Sequence, residues 1–213
     1  MTLLAVTKGH PAAAVEAAVA AGLRDIGESR VQEALAKQAA VDCAHAGAGA
    51  DGELDRQRLR WHLIGHLQHN KAKVAAAVFD TVQSLDSVRI ASALAGHRAD
   101  GATPLRVFLE VEMTGLPSRT GIPPDQLDAL AAAVSALPRL ELVGLMTVAA
   151  PGPEAATRAL FSRLRDLRDS LRRRHAVPLD ELSMGMSDDF EVAVEEGATL
   201  VRLGRVLFGD RPR

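Results

Sequence analysis

The chain has 213 residues, 47% hydrophobic and 24% charged, the make-up of an ordinary folded domain, which excludes general disorder. Its 25 basic and 27 acidic residues leave a net charge of −2, so there is no basic excess to serve a nucleic acid or a membrane surface. The apolar runs fall short of the roughly 18 residues that a bilayer-spanning helix needs. A single cysteine, Cys43, excludes an internal disulfide or a cysteine-based metal cluster. The opening Met1-Thr2-Leu3-Leu4-Ala5-Val6 is too short in its apolar part for a signal peptide, and the expected compartment is the cytoplasm.

Short apolar runs alternate with longer amphipathic ones. Leu3 to Thr7 reads as a strand, and a helix follows from about Pro11 to Ala21, with proline where its missing N–H costs nothing. Asp25 to Gly27 is a second strand, with a helix over Arg30 to Ala40. Val41 to Arg58 is irregular, and its Gly/Ala-rich part, Ala44 to Gly52, reads as a flexible loop. Further strands are expected at Leu59 to Ile64, Thr81 to Leu85, Leu105 to Val111, Leu140 to Val148, Leu182 to Gly185 and Leu200 to Leu203. Helices are expected between them over Asn70 to Val78, Ser87 to Ala95, Asp125 to Leu137, Glu154 to Arg174 and Asp188 to Glu196. The longest carries an apolar stripe of Ala156, Leu160, Leu164, Leu167 and Leu171.

Strict strand–helix alternation implies an α/β protein with a parallel sheet. Eight strands and seven intervening helices point to a closed (β/α)8 TIM barrel over residues 1–213 as one domain, with an open doubly wound sheet as the alternative.

In such a barrel, chemistry sits where the strands end. The first strand ends at Lys8. The chain has 21 arginines and only four lysines (Lys8, Lys37, Lys71 and Lys73), so an amine in an apolar setting stands out. A desolvated amine at a barrel mouth has a lowered pKa and can condense with an aldehyde; the alternative is a surface lysine at a loop start. Barrel loops after the seventh and eighth strands often hold phosphate. There, Ser187 precedes an expected helix, Gly204 allows close backbone approach and Arg205 begins the next turn. A plain helix-capping role is the competing use of Ser187. Asp188 and Asp189 suit the positive end of that helix, and Arg172, Arg173 and Arg174 suit the negative end of theirs. His62, His66 and His69 share no helical face and lack a completing carboxylate, so no metal site is expected. Trp61 reads as packing. The chain has no tyrosine, which excludes a phenol as acid or base.

Taken together, the strand-end strings resemble those of the pyridoxal phosphate homeostasis protein family. They are Ala5-Val6-Thr7-Lys8, Gly27-Glu28-Ser29-Arg30-Val31-Gln32-Glu33, Trp61 to Gln68 with Asn70-Lys71, Leu182 to Phe190, and Val201 to Arg205 with Leu207-Phe208-Gly209. The resemblance runs from Leu3 to Arg211. It implies a barrel of the alanine-racemase N-terminal type that binds pyridoxal 5'-phosphate as a Schiff base, with Lys8 as the aldimine lysine. It further implies phosphate contacts from Ser187, Gly204 and Arg205, and Arg202 facing the pyridine nitrogen. Ser29, His62, Ser84 and Met146 match positions near the cofactor. Members are thought to buffer or deliver the cofactor without catalytic turnover, so no catalytic residue is expected. Partners would be the small-molecule cofactor and pyridoxal phosphate-dependent apoenzymes, with the chain a monomer or weak homodimer. The alternative is a true pyridoxal phosphate enzyme such as a racemase. Racemases of this barrel type use a tyrosine from a second domain as one of two bases.

The sequence departs from the family pattern in three places. Members carry asparagine where Ser29 stands, the Gly/Ala-rich loop is unusual, and the usual N-terminal helix before the first strand is lacking. Without that helix, side chains of Leu3 to Val6 and Leu200 to Leu203 are expected to meet water at the barrel seam. The expectation is then an upstream start or a seam covered by self-association.

Overall fold

The structure, a computed structural model, describes residues 1–46, 59–117, 119–175 and 177–211. Eight strands are present: β1 (Thr2–Val6), β2 (Asp25–Glu28), β3 (Arg60–Leu63), β4 (Thr81–Leu85), β5 (Leu105–Glu110), β6 (Leu140–Met146), β7 (Glu181–Ser183) and β8 (Leu200–Leu203). They form a closed barrel in chain order, with β1 pairing β8 in parallel from Thr2 opposite Leu200 to Ala5 opposite Leu203. The helices are α1 (Ala13–Ala20), α2 (Val31–Ala46), α3 (Ala72–Val78), α4 (Val88–His97), α5 (Leu127–Ser135), α6 (Glu154–His175), α7 (Phe190–Glu195) and α8 (Arg205–Phe208).

Strands buried on both faces need two cores, and the side chains divide accordingly. Leu4, Val6, Phe108, Val143, Met146 and Leu200 fill the barrel interior. The other faces, with Ala5, Ile26, Val82, Val107, Leu109, Leu145 and Leu203, pack in the larger cluster shared with the helices. The end of the barrel opposite the strand C-termini carries charges rather than apolar side chains: Arg60 pairs with Asp25, and Arg106 with Glu181.

Two local expectations are corrected, and one short helix is added. α2 runs six residues past Ala40 into the stretch read as irregular, where Val41 is buried in the outer core; the rest of that stretch, 47–58, lies outside the described residues. α7 begins at Phe190 rather than Asp188. The Asp189 carboxylate accepts the Met186 N–H at 2.6 Å and closes a turn ahead of the helix. An eighth helix, α8, follows β8 immediately.

The seam of β1 and β8 is also drier than expected. Ala5, Val201 and Leu203 are buried in the outer core and Leu3 packs against it. α1 and α7 flank the seam and contribute Val15, Ala18 and Ala193 to that same core. Met1, Val194 on α7, and Val206 and Leu207 on α8 are left exposed.

Candidate functional site

The strand C-termini open into a cavity of about 420 Å³. Val6, Lys8 and His10 line it from the β1 side, Ile64 from β3, and Met186, Ser187 and Asp188 from the loop after β7. Arg202, Gly204, Arg205 and the Gly209–Arg211 segment complete the wall. Three arginines, Arg202, Arg205 and Arg211, and the Lys8 amine face two carboxylates, Asp188 and Asp210, so the cavity favours an anion.

Two glycines, Gly9 beside this wall and Gly204 in it, sit where a side chain would be strained or crowded. Gly9 turns the chain after Lys8 with φ +74°, and a Cβ there would lie 2.8 Å from Arg211 Cδ. At Gly204, which lines the cavity, a Cβ would come within 3.1 Å of the Val6 carbonyl, so a side chain there would crowd the end of β1. Ser187 does not cap a helix. Its Oγ accepts the Val206 N–H at 3.3 Å, which ties the loop after β7 to α8 and leaves the hydroxyl proton without an acceptor among the described residues. Arg205 pairs with Asp188 across the same rim.

Lys8 is half-buried and makes no hydrogen bond or ion pair among the described residues. Burial pushes its amine pKa below the usual lysine range, Arg211 and Arg202 push it further, and Glu28 and Glu33 pull the other way. Its backbone neighbours are held by a buried ionic cluster behind the barrel wall. Lys37 Nζ donates to the Thr7 carbonyl at 2.6 Å, to Glu28 Oε1 at 2.6 Å and to Glu33 Oε1 at 2.8 Å. The Thr7 hydroxyl donates to Glu28 Oε1 at 2.5 Å, and the Gly9 N–H donates to Glu33 Oε1 at 2.6 Å. The residues on both sides of Lys8 are thus pinned by one cluster. That cluster takes up both nearby carboxylates and leaves the Lys8 amine unpaired. Burial raises the Glu28 pKa, opposed by the bonds from Lys37 and Thr7. Sequence reading missed Glu28, Glu33 and Lys37 in this role. The signal was the four-residue spacing of Glu33 and Lys37 on one helix face.

Arg202 is buried at the cavity floor. Its Nη1 donates to Ser183 Oγ and its Nη2 to the Thr147 carbonyl, both at 2.8 Å. Burial lowers its pKa to about 10, with Asp189 and Glu110 opposing, so the group stays cationic at neutral pH.

Of the remaining expected site residues, none is among those lining the cavity. His62 lies inside the barrel, only 1% exposed, with its ring between Asp25 and Gln83. Met146 packs in the inner core. The Ser84 hydroxyl donates to the Gly65 carbonyl at 2.6 Å. Ser29 packs on the same turn, where a Cβ on Gly65 would lie 2.4 Å from the Ser29 carbonyl. Both serines therefore support the turn that follows Ile64. His66 pairs with Asp86 rather than with the other histidines.

Asp25 anchors the far end. Burial pushes its pKa up, but His62 and Arg60 outweigh burial and hold it at about 2, against an ordinary 3.8. A lowered folded-state pKa means that the unfolded chain binds more protons between the two values. The resulting stabilisation, about 2 kcal/mol, is complete above pH ~4 and is lost as the pH falls towards ~2. An Asp25→Asn variant should be less stable by about that amount at neutral pH. It should also lose stability less steeply than the wild type between pH ~4 and ~2, measured by urea unfolding at each pH. Parallel curves for the two proteins would refute this.

Residues 1–212 match the family model described as the N-terminal domain of alanine racemase. The pyridoxal phosphate homeostasis protein of Pseudomonas aeruginosa is 49% identical over 210 residues, covering 98% of this chain and 84% of that protein. The protein of the same name from Escherichia coli K12 is 39% identical over 211 residues, covering 99% and 86%. Among solved structures, PipY of Synechococcus elongatus with pyridoxal phosphate bound superposes with TM-score 0.86 at 41% identity, covering 98% of this chain and 92% of that one. An alanine racemase of Clostridium difficile, at 13% identity and TM-score 0.76, shares the fold over 53% of its length. The barrel is thus of the alanine-racemase N-terminal class, and the chain belongs to the pyridoxal phosphate homeostasis protein family.

Proposed function

We propose that this protein holds pyridoxal 5'-phosphate and contributes to its homeostasis by buffering or delivering it, without turning over amino acids. The observation that carries this reading is the cavity itself, in which an unpaired, pKa-lowered Lys8 shares one wall with Ser187, Gly204 and the cationic Arg205. These residues suit the two ends of the ligand. When bound, pyridoxal phosphate supplies an aldehyde that condenses with a primary amine with loss of water. Lys8 offers that amine. Ser187, Gly204 and Arg205 hold the phosphate, and Arg202 meets the ring nitrogen. Ser29, His62, Ser84 and Met146 shape the surroundings. Family membership supports the reading, because the relatives named above carry pyridoxal phosphate in their names or in their solved structure.

The racemase alternative is disfavoured by two features. The chain has no tyrosine to serve as a second base. A cationic Arg202 at the ring nitrogen also discourages ring protonation and leaves the ring a poor electron sink. In this proposal the protein is cytoplasmic, and the recipients of the cofactor are enzymes that require it. The test pairs an absorbance spectrum of the protein loaded with pyridoxal 5'-phosphate, taken before and after borohydride, with a racemisation assay on amino acids. A visible band that borohydride abolishes, with no turnover, is expected. Absence of the band would sink the binding reading, and robust racemisation would move the protein to the enzyme class.

A further inference from the structure

A line of buried polar side chains crosses the barrel from Arg202, at the cavity floor, to Asp25 at the opposite end. Arg202 Nη1 is 2.8 Å from Ser183 Oγ, and Ser183 Oγ is 2.6 Å from Gln83 Oε1. Gln83 Nε2 is 3.0 Å from His62 Nδ1, and His62 Nε2 is 3.0 Å from Asp25 Oδ1. Asp25 is then held by Arg60, with Nε on Oδ1 at 2.7 Å and Nη2 on Oδ2 at 2.5 Å. All five members from Arg202 to Asp25 are buried.

The direction of every bond in this line follows from its ends together with the Gln83 amide, whose Oε1 faces Ser183. A guanidinium only donates, and a carboxylate paired with an arginine only accepts. Ser183 Oγ accepts from Arg202 and gives its single proton to Gln83 Oε1. That sets the amide orientation, with Gln83 Nε2 donating to His62 Nδ1. A His62 ring that accepts at Nδ1 carries its proton on Nε2, pointing at Asp25. Turning the Gln83 amide over would take away the acceptor of the Ser183 hydroxyl proton and place a carbonyl oxygen against the His62 Nδ1 lone pair. In a buried setting each such mismatch is costly, because no water can replace the lost partner. The line therefore has one low-energy arrangement, and that arrangement holds Arg202. With Nη1 on Ser183 and Nη2 on the Thr147 carbonyl, the guanidinium plane is fixed and its other N–H groups are left for a ligand.

We infer that Ser183, Gln83 and His62 are positioning residues for Arg202, anchored on the Asp25–Arg60 pair, and that they set how Arg202 meets a ring in the cavity. The inference rests on the reading of Arg202 as a contact to pyridoxal phosphate. Its first test does not need the cofactor. Nitrogen-15 NMR of the cofactor-free protein should show His62 with a bare Nδ1 and a protonated Nε2. In Ser183→Ala the line is cut between Arg202 and Gln83, so the Gln83 amide is released and the His62 ring signals should move, although Ser183 does not touch His62. The same variant should bind pyridoxal 5'-phosphate about tenfold more weakly and shift its visible maximum, while inorganic phosphate binds as in the wild type. Gln83→Met, which keeps the volume and removes both bonds, should reproduce the weaker binding and serves if Ser183→Ala fails to fold.

A His62 proton on Nδ1 in the wild type would overturn the inference. So would a folded Ser183→Ala, or in its place Gln83→Met, with wild-type affinity and spectrum. Arg202→Gln separates the two readings. If it leaves affinity and spectrum unmoved, the contact between Arg202 and the cofactor is what fails, and the His62 signals still judge the line. If Arg202→Gln moves them and the Ser183 and Gln83 variants do not, the line has no positioning role.

Discussion

Lys8→Ala is expected to lose the borohydride-fixed adduct with pyridoxal 5'-phosphate completely, whereas the wild type should carry one adduct, on the peptide containing Lys8. Condensation needs the neutral amine. An ordinary lysine, with pKa 10.5, has only about one part in a few thousand of free amine at neutral pH. At Lys8 burial and the flanking Arg211 and Arg202 disfavour the ammonium, so the neutral fraction is larger. Adduct yield should rise with pH with a midpoint below that of an ordinary lysine. Because Lys8 makes no hydrogen bond among the described residues, the variant should melt close to the wild type. Lys37 is no substitute, since its ammonium is already engaged by Thr7, Glu28 and Glu33. Mass spectrometry of the digested protein decides the matter: an adduct on Lys71 or Lys73 in the wild type would overturn the assignment.

The second large effect concerns the phosphate. Pyridoxal without its phosphate should bind about a thousandfold more weakly than pyridoxal 5'-phosphate. The seat provides the free Ser187 hydroxyl proton, the close backbone at Gly204 and the Arg205 guanidinium, next to a cation-rich wall. A charge-assisted hydrogen bond contributes about 1.5–3 kcal/mol, so two or three of them account for about 4 kcal/mol, three powers of ten in affinity. Part of the Arg205 charge is already taken by Asp188, which keeps the expectation at the lower end. Binding isotherms for the two compounds, followed by the change in visible absorbance, provide the measurement. Equal affinities would show that the phosphate seat is misplaced.

The two backbone neighbours of Lys8 belong to a different layer from its amine. Thr7 points outward to Glu28 and Lys37, behind the barrel wall. Lys8 points into the cavity. Alternation along a strand end thus separates the group that reacts from the groups that hold it.

Much of this architecture is local in origin. Short apolar runs separated by amphipathic segments define the strands and helices, because a strand buried on two faces and a helix buried on one need different spacings. The order of those elements suffices for a parallel barrel, and the barrel places Lys8, Ser187, Arg202, Gly204 and Arg205 at one mouth, since all strands end on the same side. What chain order leaves open is which side chains meet across the closed sheet. Gln83 and Ser183 stand 100 residues apart and touch only because β4 and β7 face one another across the barrel axis. Lys37 reaches Thr7 because α2 packs behind β1 and β2. The start of α7 was displaced by a single carboxylate, Asp189, bonding back to Met186. Hydrophobic periodicity reports burial and is blind to the partners of a buried polar group. Those partners were decided by the tertiary structure, where every buried donor has to find an acceptor among whatever the fold brings within reach.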